Sequence, residues 1–548
     1  MIEGTYEDAV LTYRKFDEKC ARTVYKYACS HDYETLSQVP SLDLKDEMED
    51  AYKRLLLEGM ELPQPDPVFS LLKSHFLEFL EGHISGVASS FENPDWFVGR
   101  ETYLLDFNSR QDSRPAHVRL QVLSARLSQL DAVWEGVKSL FPTVHPDKIQ
   151  ETAQACKVLQ TIAGNVASKV PSYYGDLDLD VQNDLAERLS ELVSKARSWE
   201  AESYRAAQDR ATLGDLSELT EAKIDPERYG EILSRELGVP LEELLEWYEE
   251  EIECTRKEMM DVARSLNLGS VESLEDVFKI LDQYAGPCDT VEEMFSRMEK
   301  YVEIAKRATK DGFVNLPEEY CIVSPTPEQC RDSYPWGGYG GGCFRRRPLV
   351  GEVFLNDSNY KAVTDGWLKM MAIHECYPGH HVQFVRTTLD PLPETVKIGS
   401  RYIPLLEGTA HRSEKLMEHI FSDPVFPLFV RLRRHHTAVR IKADLWLHYF
   451  GRSVEEAVEL YMKELGFDRV SARGQVRYQE RNPGYMTCYY YGMKKIEALQ
   501  EKFKYGDKEF TEILFSVGRL SLPNFERFLK LSQEDKVRFQ KDFASLVT

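Results

Sequence analysis

The sequence lacks several features that would place it in common protein classes. It contains no run of about 18 uncharged apolar residues, so we expect no membrane-spanning helix. The first eight residues, Met1 to Asp8, have neither the positive charge nor the apolar stretch of a secretory signal. Positive charge is scarce, because 68 Lys and Arg stand against 91 Asp and Glu, a formal net charge of −23. Such a surface repels phosphate, so no nucleic acid partner is expected.

Paired cysteines are also lacking. The ten cysteines are scattered singly through 548 residues, and no two of them form a Cys-x-x-Cys pair. This pattern is not that of a disulfide scaffold. We expect reduced thiols that pack in the core. Together with the N-terminal residues, this predicts a cytoplasmic protein.

Helical patterning dominates the first part of the chain. Hydrophobic residues make up 42% of the sequence, which is enough for a large buried core, so a disordered chain is excluded. Apolar positions spaced by three and four predict long helices over 120–140, 184–207 and 241–266. The acidic segment 174–180 has the composition of a turn and is expected to join two helical groups.

The composition changes after about residue 310. Proline, glycine and aromatic residues become frequent, 350–356 alternates like a short strand, and helical patterns return after residue 364. The sequence therefore predicts a mainly α, two-lobed fold with a small β-sheet beside a cleft between the lobes. The first lobe would be helical and span 1–310, and the second would span 311–548 with the sheet and several helices.

A glycine-rich stretch runs from Pro335 to Gly342. It lacks the Gly-Lys-Ser/Thr ending of a phosphate-binding loop, and no long strand precedes it. We interpret it as a mobile loop beside a pocket, with a plain connector as the alternative.

The chemically informative segment contains three histidines. Thr364 or Asp365 can cap a helix whose apolar stripe carries His374, and Glu375 follows it. This is similar to the His-Glu-x-x-His zinc helix, in which two imidazoles one turn apart bind Zn²⁺. Here, however, the next histidines are His380 and His381, six and seven positions on.

A helix break reconciles this spacing with a shared metal. In an unbroken helix His380 would be rotated by about 120° from His374, and His381 would lie about 10 Å along the axis. Pro378 prevents an unbroken helix, and Gly379 allows a wide turn. If two residues loop out, His380 returns to one turn after His374, whereas His381 would need three, so we favour His380. The alternative is a core helix that ends at a Pro-Gly turn.

A third ligand is expected from the segment that follows Ile403. Glu407 and Glu414 share a helical face that enters an apolar region, where a carboxylate is costly unless it is paired or bound to metal. Glu407 is the predicted third ligand, and Glu414 is expected to hold a ligand histidine. A solvated acidic helix face is the alternative.

Two later helical segments carry polar residues in apolar surroundings. Arg440, Asp444 and His448 recur every four positions, as either one row that points into the cleft or an exposed ladder of ion pairs. Tyr489 belongs to an aromatic cluster that is either core or a source of a phenol near the metal, able to donate to an oxyanion.

These motifs resemble a known family. His374-Glu375-x-x-Pro378-Gly379-His380-His381-x-Gln383 resembles the signature of the bacterial domain-of-unknown-function 885 family, among the zincin-like metallopeptidases. Glu407-Gly408-x-Ala410 resembles the family's second motif and the third-ligand segment of gluzincin aminopeptidases. Two later blocks, Arg440 to His448 and Pro483 to Gly492, also resemble family blocks. The resemblance covers roughly 220–548 and is clearest over 350–495.

The resemblance implies roles for individual residues. His374, His380 and Glu407 would be metal ligands, Glu375 the base, and Tyr489 the family's tyrosine. The match itself does not choose between His380 and His381, so His380 follows from the geometric preference. The sequence departs from the family at Thr409, at Tyr485 and in the spacing between Arg477 and Pro483. These departures concern the substrate pocket more than the metal site.

The resulting hypothesis is a Zn²⁺-dependent hydrolase of peptide or related amide bonds. Glu375 would act as general base, with Tyr489 or His448 steadying the oxyanion. We expect His381, Glu414, Arg440 and Asp444 to support the ligands or contact the substrate.

A small peptide or acyl-amino compound is the expected substrate, and the strand 353–356 would pair with it at the edge of the sheet. Alternatives are a non-peptide hydrolase or lyase and a catalytically silent helical binding protein. The sequence leaves a homodimer open.

Overall fold

The computed structural model describes residues 5–28, 36–212, 224–327, 331 and 334–545. Over these residues the chain is mainly helical with one three-stranded sheet, which confirms this much of the predicted fold class. The chain divides into two compact units. Unit 1 comprises Met1–Arg14, Pro63–Phe79 and Asp225–Thr548, and unit 2 comprises Lys15–Leu62 and Leu80–Ile224.

Unit 2 is built from helices. They are α2 (Leu42–Met60), α4 (Asp95–Asp106), α5 (Ala116–Leu140), α6 (Pro146–Ser168), α7 (Val170–Tyr173) and α8 (Leu179–Thr212), while α1 (Tyr6–Ala28) and α3 (Pro67–Glu92) contribute residues to both units. Helices α6 and α8 pack along each other, and both carry buried leucines such as Leu159 and Leu189. The helices predicted over 120–140 and 184–207 and the turn between α7 and α8 are confirmed.

Unit 1 contains the remaining helices and the sheet. Its helices are α9 (Pro226–Glu231), α10 (Leu241–Ser265), α11 (Leu274–Tyr284), α12 (Val291–Gly312), α13 (Asp365–Met371), α14 (His380–Leu389), α15 (Glu394–Ile398), α16 (Ile403–Leu416), α17 (Phe426–His448), α18 (Val454–Leu465), α19 (Arg469–Arg481), α20 (Thr487–Phe503), α21 (Asp507–Ser516), α22 (Leu522–Leu529) and α23 (Gln533–Lys541). The boundary predicted at residue 310 falls inside this unit, because α12 packs against α13 and the first strand.

The sheet has the strand order β1-β3-β2, from β1 (Glu319–Pro325), β2 (Gly337–Gly340) and β3 (Leu349–Leu355). β3 pairs in parallel with β1 and antiparallel with β2. The alternating pattern that predicted a strand here is confirmed, since every second residue of β3 is buried. The expectation that 353–356 offers a free edge is wrong, because β3 is the central strand. The two edge strands are β1 and β2, and β2 lies within the glycine-rich stretch, which is therefore partly a strand.

Close packing of α16 on α20 depends on two glycines. A Cβ atom on Gly408 would lie 2.4 Å from the carbonyl carbon of Gly492, and one on Gly492 would lie 1.8 Å from the carbonyl oxygen of Pro404. Larger residues would therefore force the helices apart. This approach brings Glu407 on α16 near the tyrosines at the start of α20.

Two expectations of the sequence concern thiols and membranes. The eight cysteines within the described residues are free thiols, and Cys29 and Cys330 lie outside those residues. In the part of the chain that the structure describes, no helix has the length and apolar character needed to cross a membrane.

Candidate metal centre and active site

The helix that carries His374 ends where proline and glycine predict a break. Thr364 caps α13, with its side-chain oxygen accepting from the backbone N–H of Trp367. The helix continues as one π-helical turn over Ala372–Cys376, and α14 begins at His380. A Cβ atom on Gly379 would lie 1.9 Å from the carbonyl oxygen of His374, so only glycine fits this turn. The chain starts a second helix rather than looping out of the first.

Three side chains converge at this break. His374 Nε2 lies 3.5 Å from Glu407 Oε2, and His380 Nε2 lies 3.3 Å from the same oxygen. The three potential ligand atoms all lie within 4.8 Å of one another. The structure thus brings together the three residues expected as ligands, and it places His380, not His381, among them. We call this group the triad.

Two of the three distances within the triad match those of a tetrahedral metal site. Ligands about 2.0–2.1 Å from a tetrahedral Zn²⁺ lie roughly 3.3 Å apart, close to both distances measured to Glu407. Among the described residues, the buried Oε2 atom of Glu407 has no hydrogen-bond partner of standard geometry. A buried carboxylate oxygen without such a partner is costly, and a bound cation removes the cost.

Each triad side chain is held from behind by a further residue. His374 Nδ1 lies 2.8 Å from Glu414 Oε1, and His380 Nδ1 lies 2.7 Å from Gln383 Oε1. Tyr485 donates to Glu407 Oε1 at 2.6 Å. These contacts direct both Nε2 atoms and one carboxylate oxygen toward a common point, as outer hydrogen bonds do in metal sites.

Burial and charge explain the electrostatics of the triad. Burial lowers the pKa of His374, but the neighbouring carboxylates of Glu407 and Glu414 outweigh this and raise the pKa to about 9. Burial raises the pKa of Glu407, but the neighbouring His380 and His374 hold it well below its usual range. Without a cation, the carboxylate thus attracts protons to the imidazoles.

The face of α16 that carries Glu407 is buried. Glu407, His411 and Glu414 are each at most 3% exposed, which excludes the alternative of a solvated acidic face. The carboxylate oxygens of Glu414 lie 2.8 Å from His374 Nδ1, 3.1 Å from His411 Nδ1 and 3.3 Å from Arg433 Nη2. Although burial raises its pKa, Arg433 and His411 lower it well below the usual value.

A cavity of about 380 Å³ opens onto the triad. Its lining includes Glu375, Tyr489, the edge strand at Gly337 to Tyr339, and aromatic side chains on α13 and α19. The ring of Tyr489 stacks on that of His374, with centroids 6.0 Å apart. All lining residues lie between 334 and 519, within unit 1, so the cavity is not formed between the lobes predicted at 1–310 and 311–548. The glycine-rich stretch borders the pocket, as expected.

His381 points to the other side of α14. Its Nε2 lies 2.6 Å from Glu319 Oε2 on β1, and its Nδ1 lies 2.9 Å from the Tyr339 hydroxyl on β2. Its side chain is fully buried and does not line the cavity. The expectation that His381 supports the ligands or contacts the substrate is therefore wrong. Its side chain lies away from the cavity and connects α14 to the sheet by hydrogen bonds.

The row of Arg440, Asp444 and His448 on α17 is buried, so the exposed ion-pair ladder is excluded. Only Arg440 lines the cavity. Asp444 accepts from Tyr229, Gln479 and the backbone of Gly484, and His448 Nε2 lies 3.0 Å from the carbonyl oxygen of Gln479. The structure does not place His448 where it could donate to an oxyanion, nor Asp444 where it could contact a substrate.

Sequence reasoning missed several residues of the site. Tyr485 appeared only as a departure from a motif, yet it holds the third ligand across 78 positions of sequence. Gln383 was noted as part of the signature but without a role, and its amide also donates to the carbonyl oxygen of Leu406. Arg433 lines the cavity from the middle of a helix and was not singled out. No local spacing links these residues to the triad.

Residues 33–527 match the model of a protein family described as "Bacterial protein of unknown function (DUF885)". The chain belongs to this family. The match includes the triad and every residue named above as lining the cavity, and it begins well before residue 220, where the resemblance was expected to start. Because the family's function is unknown, membership assigns no activity. No curated protein matches the chain.

Two solved structures share the fold over nearly their whole length. A "putative lipoprotein" from Colwellia psychrerythraea is 15% identical, with a TM-score of 0.79 over 95% of this chain and 98% of its own. A "putative lipoprotein of unknown function" from Shewanella oneidensis is also 15% identical, with a TM-score of 0.72 over 96% of this chain and 100% of its own. At this identity the likeness shows the fold alone.

The comparisons contradict the cytoplasmic localisation predicted from the sequence. Both solved neighbours carry the description "putative lipoprotein", which does not fit that compartment. The prediction depended on the charge and hydropathy of Met1 to Asp8 and on unpaired cysteines. Neither feature is a targeting signal that determines the compartment. The cytoplasmic assignment is not retained.

Proposed function

We propose that this chain is a zinc-dependent hydrolase of peptide or related amide bonds, with a zincin-like active site. The observation that carries the proposal is the convergence of His374 Nε2, His380 Nε2 and Glu407 Oε2 in a cavity that Glu375 also lines. Two imidazoles and one carboxylate suit Zn²⁺, and three protein ligands leave a fourth position open, as in catalytic rather than structural zinc sites.

Zinc, when bound, is a Lewis acid that polarises a carbonyl group and activates water for attack. The protein residues would supply the proton transfers. Glu375 follows a triad residue directly and lines the cavity, so its carboxylate is suited to accept a proton from the attacking water. It would then deliver this proton to the nitrogen of the leaving amine, which completes hydrolysis of the amide bond.

Tyr489 is the proposed oxyanion donor. Its ring lies against His374 and lines the cavity. Burial and the nearby Glu407 raise its pKa well above the ordinary value, so the phenol keeps its proton at neutral pH. A neutral phenol in such a site can donate to the negative charge that develops on the carbonyl oxygen.

The edge strand β2 is the proposed platform for an extended substrate. It is paired only with β3 among the described strands, and Gly337, Gly338 and Tyr339 line the cavity. A peptide could add to this edge by main-chain hydrogen bonds. This replaces β3, whose edges are both occupied, in the role expected from the sequence.

Substitution of the proposed base gives the direct test of the function. A zinc-loaded screen of small peptides and N-acyl amino acids would first supply a substrate. Glu375→Gln is then expected to retain zinc and to lose roughly two orders of magnitude or more in kcat, because the proton acceptor is removed. Exposed Glu509→Gln, with the same change of charge, is the control. Unchanged turnover in Glu375→Gln would exclude the proposed mechanism.

Metal analysis separates an active site from a silent one. Protein purified without added zinc is expected to contain one metal ion per chain, and His374→Ala is expected to lose it. Absence of metal, or a metal with a fully occupied coordination sphere and no exchangeable water, would favour a binding or structural role for the site.

A further inference from the structure

Two buried arginines face the cavity from one side of α17. Arg433 and Arg440 are seven positions apart, so they lie on the same face of the helix, and both line the cavity. Their side chains are 3% and 5% exposed. Together with Arg519 they give the lining three arginines against two carboxylates, Glu375 and Glu407. Arginine side chains therefore border the cavity in a chain whose net charge is −23.

The two arginines differ in how their charge is balanced. Arg433 Nη2 contacts the carboxylate of Glu414 at 3.3 Å, and its Nη1 donates to His436 Nδ1 at 3.0 Å. Arg440 donates from Nη2 to the neutral amide oxygen of Gln475 at 2.8 Å. Among the described residues, its Nε and Nη1 atoms have no hydrogen-bond partner, and no carboxylate forms an ion pair with it.

The nearby carboxylates are already engaged elsewhere. Asp444, one turn further along α17, accepts three hydrogen bonds from Tyr229, Gln479 and Gly484. Glu407 belongs to the triad. Burial and the like charge of Arg433 consequently lower the pKa of Arg440. A buried guanidinium whose N–H groups lack acceptors destabilises a fold. We therefore expect an anionic ligand to supply the acceptors and the negative charge that Arg440 lacks.

Arg440 lies one aromatic ring away from the triad. Its guanidinium carbon is 4.8 Å from the centroid of the Tyr489 ring, and that ring also stacks on His374. An anionic group of a substrate could therefore bind Arg440 while the scissile bond of the same substrate lies at the triad, within one cavity. The cavity volume of about 380 Å³ is within the range of about 300–1,000 Å³ that is usual for small-molecule sites.

We propose that Arg440, supported by Arg433, binds a carboxylate of the substrate, so that the site acts on short peptides or acyl-amino acids that carry a free acid. This inference rests on the proposed function, because only a hydrolase would treat the bound acid as a substrate. The binding of the carboxylate itself does not require the metal. The carboxylate could be the C-terminal group of a peptide or an acidic side chain. A guanidinium supplies the charge-assisted hydrogen bonds that such a group needs.

Paired ligands that differ only in charge test this proposal. N-acetyl dipeptides of alanine, leucine, phenylalanine and lysine would be titrated as free acids and as C-terminal amides by calorimetry. A further pair, N-acetyl-alanyl-glutamate amide and N-acetyl-alanyl-glutamine amide, reports on a side-chain carboxylate. Each ligand is measured with the full chain after chelator treatment and with zinc-loaded Glu375→Gln, so that no turnover occurs.

The expected result is at least one acid that binds about tenfold or more tightly than its amide, with and without zinc. Arg440→Gln should abolish this ratio, and Arg440→Lys should keep only part of it, because the charge remains but the planar donors are lost. Lys442→Gln on the same helix is the matched control, since Lys442 pairs with the exposed Glu249 away from the cavity.

Three outcomes would overturn the proposal. They are no preference for any acid, a preference that survives in a folded Arg440→Gln variant, and a preference that appears only with zinc, which would assign the carboxylate to the metal. Thermal melting shows whether each variant is folded, and Arg440→Lys keeps the test informative if Arg440→Gln is not. Failure of the proposed hydrolase is distinct, because it would appear as absent zinc or unchanged turnover in Glu375→Gln.

Discussion

His380 and His381 are neighbours in sequence, yet their surroundings differ in kind. His381 has both ring nitrogens bonded, to Glu319 and Tyr339, and it joins α14 to the sheet. His380 has one nitrogen bonded to Gln383, and the other lies 3.3 Å from a carboxylate oxygen of Glu407 that lacks a hydrogen-bond partner among the described residues. The first is a satisfied structural histidine, and the second is a candidate ligand.

This difference shows what distinguishes a metal site from a buried polar network. In a network every hydrogen-bond donor meets an acceptor, whereas in a metal site several electron-pair donors point at one common position that a cation can occupy. The side of α14 that faces the cavity has such a convergence, and the side that faces the sheet does not.

The largest expected effect is on bound metal. His380→Gln should abolish stoichiometric zinc and with it turnover, because two ligands do not hold the ion in place. His381→Gln should retain zinc, since that side chain lies outside the triad. Metal analysis of both purified variants checks this, and folding is verified by their melting curves. Zinc lost from the second variant but kept by the first would reverse the assignment.

The next effect concerns the free energy of unfolding, to which the contacts on the side of α14 that faces the sheet contribute. Burial raises the pKa of Glu319, but hydrogen bonds from His381 and Tyr377 outweigh it and lower the pKa to about 2. Such a carboxylate stabilises the fold above its unfolded pKa of about 4.3 and loses this contribution as the pH falls toward 2. Glu319→Gln should thus lower the unfolding free energy by about 3 kcal/mol at neutral pH, with the gap closing below pH 4.

Denaturant unfolding at several pH values would measure this gap. Exposed Glu318→Gln removes the same charge one position away and should change the unfolding free energy by less than about 0.5 kcal/mol. A gap for Glu319→Gln that is constant from pH 7 to pH 3 would contradict the account of this pair.

The smallest effect is expected on zinc affinity, when the hydrogen bond to the third ligand, Glu407, is removed. Tyr485→Phe removes the hydrogen bond to Glu407 Oε1 and should weaken zinc affinity by roughly 10–100-fold without abolishing binding. Competition with a chelator of known affinity measures this change. Tyr491→Phe, a phenol on α20 that contacts Glu243 outside the cavity, is the control. Equal affinities of the two variants would mean that Tyr485 does not orient the ligand.

The sequence predicted the local parts of this molecule well. Apolar periodicity located the long helices, alternation located β3, and the Pro378-Gly379 pair located the break that brings His380 back to His374. These features are set by residues close together in the chain, so propensity and spacing suffice. The choice of Glu407 also followed from a local feature, a carboxylate on an apolar helical face.

The parts that depend on long-range packing could not be predicted. Spacing of four suggested one row for Arg440, Asp444 and His448, but Tyr229 and Gln479 draw the last two away from the cavity. The open sheet edge was assigned to β3 because the order of strands in a sheet cannot be predicted from the residues of one strand. Tyr485 meets Glu407 only through the close contact of α16 and α20.

The most direct test of the central claim is anomalous diffraction at the zinc absorption edge from crystals grown with zinc. The account predicts one strong peak at about 2.0–2.2 Å from His374 Nε2, His380 Nε2 and a carboxylate oxygen of Glu407. A map without a peak at this point, or with zinc bound through His381 instead, would contradict it.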